Sequence, residues 1–165
     1  MAESLGAVLS PSNVIEEGVN ISKADCFTVQ HFSYECSRRR NSAGIPYGQT
    51  LPSYLDVIIN SDAKNKGKVL FNRIKNSTTD AFSFIFNTTF LTDGSLASYG
   101  DVIVAFGYIV DVEESFVRAS EKSQEQGEGQ DQAPVVQMLI HARILLSKMV
   151  FKGAGTSKTL TITND

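Results

Sequence analysis

The stretch AFSFIFNTTF, residues 81–90, places Phe82, Phe84 and Phe86 at every second position, with Ser83, Asn87 and Thr89 between or beyond them. A period of two is the period of a β-strand with one apolar face. The same period returns in YLDVIIN, residues 54–60, where Leu55, Val57 and Ile59 share a parity. In VVQMLIHARILLSK, residues 135–148, Val136, Met138, Ile140, Ala142, Ile144 and Leu146 fall on one side. A helical stripe also passes through that segment. A strand accounts better for Gln137, His141, Arg143 and Ser147 on the opposite side.

Residues 26–37 alternate with a change of parity. Phe27 and Val29 share one face, then Phe32, Tyr34 and Cys36 share the other, which predicts a bulge near Gln30 and His31. DVIVAFGYIVDVEESF, residues 101–116, is apolar at both parities up to Val110. A strand covered on both sides fits a barrel wall that also meets a neighbouring surface. KTLTITND, residues 158–165, reads as a short closing strand.

One helix interrupts this pattern. LFNRIKN lies in SDAKNKGKVLFNRIKN, residues 61–76, with Ser61 or Asp62 as a cap and Leu70, Phe71 and Ile74 as a stripe. Gly67 limits the regular helix to about residues 67–75. Many strands, one short helix and no β–α alternation define an all-β, mainly β class, a barrel or sandwich of one domain over residues 1–165.

Residues 1–24 have weak patterning, broken at Gly6, Pro11 and Gly18, and read as an N-terminal arm with an edge strand near Val19 to Ser22. RRRNSAGIPYGQTLPS, residues 38–53, reads as a long ordered loop, a kind of element that tends to be functional. Residues 119–133, rich in Gln, Glu and Gly, read as a flexible polar connection. DGS at 93–95 and KGAGTSK at 152–158 read as turns.

Composition narrows the function classes. The formal charge is −3, with 15 basic and 18 acidic residues, so a basic nucleic-acid footprint is not expected. The N-terminal stretch has Glu3 and no basic n-region, unlike a secretory signal peptide. No apolar run reaches the length of a membrane span, and no membrane insertion is expected. Cys26 and Cys36 lie ten positions apart on one extended segment, too far to bridge, and are expected as packed thiols. Cys26, His31 and Cys36 match no standard metal spacing, and no metal or cofactor is expected.

No catalytic motif is present: neither G-x-S-x-G, nor a P-loop, nor H-E-x-x-H. His141 beside Arg143 has no evident reacting partner and reads as a surface or subunit-contact histidine. The chain reads as a non-enzyme. Two runs of opposite charge remain, basic Arg38, Arg39 and Arg40 and acidic Asp111, Glu113 and Glu114. Opposite charge makes them candidates for facing one another between neighbouring surfaces.

HFSYECSRRRNSAGIPYGQ, LFNRIKN before a Phe-rich strand, and YIVDVEESF leading through a polar connection to VQMLIHARILLSKMVFKG follow one another over residues 26–153. This order resembles the Bacteroidetes branch of the Hcp (TssD) tube proteins of type VI secretion systems. The resemblance implies a β-barrel of two sheets with one flanking helix, a fold shared with phage tail-tube proteins. It implies six-membered rings that stack into a tube, partnered by sheath and spike proteins and carrying effectors. It implies a protein made in the cytoplasm and expelled through the apparatus without a signal peptide. The loop with Ile45, Pro46 and Tyr47 would then contact an adjacent subunit or the next ring. The arm and the 119–133 insert exceed the family pattern. The alternative is a monomeric barrel that binds a small ligand or peptide.

Overall fold

The computed structural model describes residues 2–15, 21–61, 67–75, 79–118, 136–155 and 158–163. Its strands are β1 (Glu3–Ser10), β2 (Phe27–Arg40), β3 (Pro46–Ser61), β4 (Asp80–Phe90), β5 (Leu96–Ser98), β6 (Val102–Arg118), β7 (Val136–Lys152) and β8 (Thr159–Thr163), with one helix, α1 (Gly67–Arg73), between β3 and β4. Hydrogen bonding runs β1-β2-β3-β7-β6-β4, and β4 returns to β1, so six antiparallel strands close a barrel. β5 extends β4 and β8 extends β7 on the outside.

The period-two residues fill the interior. Phe82, Phe84, Leu55, Val57, Ile59 and Ile140 are fully buried in one cluster. Ala105 and Ile109 of β6 join them, and Leu70 of α1 packs onto the same cluster. Phe71 is only partly buried and Ile74 is 41% exposed, so the helical stripe is narrower than its spacing predicts. Ser61 ends β3 rather than capping the helix, and Asp62 lies outside the described residues.

The neighbouring surface expected for β6 belongs to the same chain. Val102 and Val104 point away from the barrel into a second cluster with Val8, Cys26, Ile85 and Phe90. Val14, Ile15, Ile21 and Leu96 pack over it. Polar contacts hold this cover down. Val14 N donates to Ser83 Oγ at 3.1 Å, and Ser83 Oγ donates to the Ser12 carbonyl. Arg73 donates to the Pro11 carbonyl at 2.9 Å and pairs with Asp80 at 3.3 Å. Ser83 is fully buried, so its hydroxyl needs these partners.

Two sequence expectations are corrected. Residues 3–10 are a barrel strand, not an arm; of the edge strand expected near Val19 to Ser22, Val19 and Asn20 lie outside the described residues, and Ser22 makes an isolated bridge to Ser95. β1 lacks alternation because it serves two cores: Leu9 enters the barrel while Val8 enters the outer cluster. The long loop at 38–53 is a tight turn on a long two-stranded ribbon. Asn41 closes that turn, its side chain accepting from Ala43 N at 3.0 Å and Ile45 N at 2.9 Å, with Gly44 at φ 80°. Pro46, Gly48 and Pro52 sit in β3 nonetheless. There β3 pairs only with β2 among the described residues, and its pairing with β7 starts at Tyr54. An unpaired side tolerates proline. The expected flexible connection at 119–133 lies outside the described residues.

The bulge predicted near Gln30 is present as a register shift between Val29 and His31. A further shift falls between Phe106 and Gly107 in β6. A Cβ on Gly107 would stand 2.2 Å from the Leu145 carbonyl oxygen and 2.9 Å from Ile144 Cγ2. Gly107→Ala should therefore cost about 2–3 kcal/mol in urea unfolding, because backbone must move. Gly6→Ala, with nothing within 4 Å, is the control and should be close to neutral. Equal stability of the two variants would contradict the packing at Gly107.

Candidate subunit interface

β2, β3, β7 and β6 form a continuous four-stranded wall whose two margins are open. β1 pairs with β2 only through Val8–Thr28 and Leu9–Phe27. From Val29 to Arg40, β2 has β3 on one side and no strand on the other among the described residues. β4 pairs with β6 only as far as Gly107. From Tyr108 to Arg118, β6 has β7 alone among the described residues. Three antiparallel steps separate β2 from β6, so the two edges run in opposite directions. Open edges carry unpaired backbone donors and acceptors and invite another strand.

The edges differ in charge. β2 ends in the exposed residues Arg38, Arg39 and Arg40. Arg38 Nε reaches the Gly48 carbonyl across the ribbon at 3.1 Å. β6 carries the exposed Asp111, Glu113 and Glu114. The two charged runs stand at different heights: Asp111 and Glu113 are level with Ser33 and His31, while Arg38, Arg39 and Arg40 lie beyond the wall, on the ribbon where β3 has β2 alone among the described residues. Ile45 and Tyr47, 59% and 50% exposed, flank Pro46 at the ribbon tip.

The outward face of this wall is ordered in rows. Tyr54, Leu145 and Tyr108 stand side by side across three strands. The next row is Ser33, Asp56, Arg143 and Asp111, and below it His31, Ile58, His141 and Glu113. Asp56 Oδ1 lies 3.2 Å from His141 Nε2 and 3.7 Å from Arg143 Nε. The Arg143 guanidinium lies 4.5 Å from the centre of the Tyr54 ring. These groups border a depression of about 70 Å³ with Asp111 and Glu113. Sequence reasoning singled out His141 and Arg143 but missed Asp56. Its signal was its opposite parity to Leu55 and Val57 in an otherwise apolar run.

Cys26, His31 and Cys36 diverge. Cys26 belongs to the outer cluster, Cys36 packs on the barrel core, and His31 is exposed. Among the described residues no group of His, Cys, Asp and Glu is arranged to hold a metal ion. No helix among them is long and apolar enough to cross a membrane.

Among the described residues the fold is a closed six-stranded barrel with a four-stranded wall open at both margins. Solved structures with this fold identify the type. One titled as the crystal structure of an Hcp protein aligns with a TM-score of 0.61 and 13% identity, over 99% of this chain and 98% of that one. Hcp1 from Flavobacterium johnsoniae aligns with a TM-score of 0.56 and 13% identity, over 97% and 100%. An Hcp1 variant from the E. coli pathovar EAEC 042 aligns with a TM-score of 0.62 and 10% identity, over 96% and 98%. The chain therefore has the fold of Hcp proteins across its length. No protein-family model and no curated protein matches it.

Burial raises the Cys36 thiol above its ordinary value. The folded state thus favours the protonated thiol. That contribution is whole below the ordinary thiol pKa and is lost as pH climbs through the raised folded value. Alkylation of Cys36 should be slow at mildly alkaline pH in the native protein and speed up on unfolding, followed by mass spectrometry. Native alkylation as fast as unfolded would contradict its packing.

Proposed function

We propose that the chain is a structural subunit of a contractile injection tube of the type VI secretion kind. Six copies close a ring, rings stack, and the stack is the expelled inner tube that carries effectors. Its partners are then itself, a sheath, a spike and cargo. It is made in the cytoplasm and leaves through the apparatus without a signal peptide. Catalysis, nucleic-acid binding and membrane insertion have no part in this reading.

The observation that carries it is the pair of long open edges on opposite sides of one wall. The edges are antiparallel, so β6 of one copy against β2 of the next continues the antiparallel order. Six four-stranded walls joined this way make a larger barrel roughly 40 Å across, from strand spacing alone. The remaining bulk, β1, β4, α1 and the outer cluster, lies behind the wall and needs the greater circumference. It therefore goes outside, and the row-ordered face lines the bore. The ribbon tip from Arg39 to Tyr47, where β3 has β2 as its one strand partner among the described residues, reaches toward the next ring.

The alternative, a monomeric barrel holding a ligand, needs an empty interior. Here Phe82, Phe84, Leu55, Ile140 and Met149, each at 0% exposure, fill it.

Purified protein should give the mass of about six copies by light scattering and rings by electron microscopy. A monomer at every concentration would overturn the reading. Reversing Arg38, Arg39 and Arg40 to Glu should weaken ring formation, most strongly at low salt. Unchanged assembly at low and high salt would remove these arginines from the interface. Deleting residues 43–50 should weaken ring stacking and leave a folded barrel. Loss of the fold would assign the ribbon a structural role instead.

A further inference from the structure

We infer that the N-terminal segment Pro11–Ile15 is a latched cover, which opens and recloses over the outer face of β1, β4 and β6 while the barrel stays closed, whether or not the copies form rings. Two features carry this: how the two apolar clusters divide the chain, and how the segment is held.

The barrel core takes its buried members from β1, β2, β3, α1, β4, β6 and β7, and none from residues 11–15. The ladder that closes the barrel is likewise complete without them. Val14 and Ile15 pack instead on the second cluster, above Val8, Ile85, Phe90, Val102 and Val104. Both are half-buried with the cover in place, so opening loses only part of a side chain's full burial.

The segment belongs to no strand, and side chains hold its backbone. Val14 N donates to Ser83 Oγ at 3.1 Å, Ser83 Oγ donates to the Ser12 carbonyl, and Arg73 Nη2 donates to the Pro11 carbonyl at 2.9 Å. Ile15 N turns back on Asn13 Oδ1 at 3.1 Å. The receiving side is fixed by the barrel. Ser83 stands in β4 between Ser10 and Val104. Arg73 pairs with Asp80 at 3.3 Å, and its guanidinium lies 5.7 Å from the centre of the Phe82 ring. When the segment lifts, the latch residues therefore stay in place to receive it again. Farther along, Lys23 N donates to the Gly94 carbonyl at 2.9 Å, so the chain is anchored on both sides of the cover.

Magnitudes separate the cover from the barrel. A strand leaves a barrel only by breaking its ladder and exposing the core, so its amides open with the whole domain. The cover breaks three latch bonds and gains water in their place. Ser83 is fully buried while the cover is closed, but its hydroxyl is hydrated rather than left unpaired once the cover lifts. The cover thus opens far more often than the barrel. Each opening uncovers an apolar face that the closed molecule does not present.

The test uses the full chain carrying Cys26→Ser, Cys36→Ser and Val104→Cys, which places one thiol in the covered cluster at a position of 0% exposure. Ile85→Cys, at 0% exposure in the same cluster, serves if Val104→Cys disturbs the fold. Thiol labelling is followed in rising urea below the unfolding transition. Amide exchange of β7 from Ile140 to Leu146, on the same protein, is the reference for the barrel and shows that each variant is folded. The thiol should report an opening constant at least about a hundredfold above that of the β7 amides, with a shallower urea dependence, because little surface is exposed. Adding Ser83→Ala should raise the thiol's opening roughly tenfold. Ile140→Val should raise opening at β7 and leave the thiol's unchanged. A thiol that shares the β7 urea slope, or that speeds up with Ile140→Val, is uncovered only when the whole barrel unfolds, and overturns the inference. Labelling at the rate of the unfolded chain, indifferent to Ser83→Ala, means that nothing is latched, and overturns it too. Solution mass on the same samples judges the ring reading separately. A monomer whose cover opens removes that reading and leaves the latch standing.

Discussion

The architecture turns on how briefly β1 meets β2. Two residue pairs, Val8–Thr28 and Leu9–Phe27, are enough to close the barrel, because β1 spends the rest of its length on β4. Continued in register, the rest of β1 would cover β2 from Val29 to Ser33. β4 starts at Asp80 opposite Gly107, so β6 beyond Gly107 has no β4 beside it. These early partings of neighbouring strands leave one wall with two open margins. Everything proposed about assembly follows from those margins and from their antiparallel sense.

The early departures are stabilised by burial on both sides of a few strands. β4 and β6 bury one face in the barrel and the other under the N-terminal segment. Ser83 and Arg73 fix that segment through hydrogen bonds to the Ser12 and Pro11 carbonyls. Apolar area on two faces provides the main driving force. The hydrogen bonds set where the cover lies, since leaving Ser83 unpartnered at full burial would be costly. Among the described residues, the barrel interior is filled by side chains such as Phe82, Phe84, Leu55, Ile140 and Met149.

Much of this was legible in the sequence, for identifiable reasons. Phe82 and Phe84, and Leu55, Val57 and Ile59, revealed strands because each of those segments turns one regular face to the barrel core. The parity change near His31 revealed a bulge for the same reason. β1 was missed because adjacent Val8 and Leu9 serve different cores, which erases alternation. The ribbon reads as a loop in the sequence because Pro46, Gly48 and Pro52 signal turns. A strand with a neighbour on one side only can hold them. At the candidate interface, the charged runs were visible as runs. Their different heights, and the joining of Asp56 to His141 and Arg143, depend on register across strands distant in sequence.

Amide hydrogen exchange on the assembled particle tests the central claim most directly. On an open edge, only the amides that point outward lack a partner, so β2 from Val29 to Arg40 and β6 from Tyr108 to Arg118 should contain alternating fast sites in isolated protein. If the edges pair between copies, those sites should slow in the assembled state to the level of β3 and β7, and recover on dilution to monomer. Fast exchange along both edges in particles that are demonstrably rings would contradict the account.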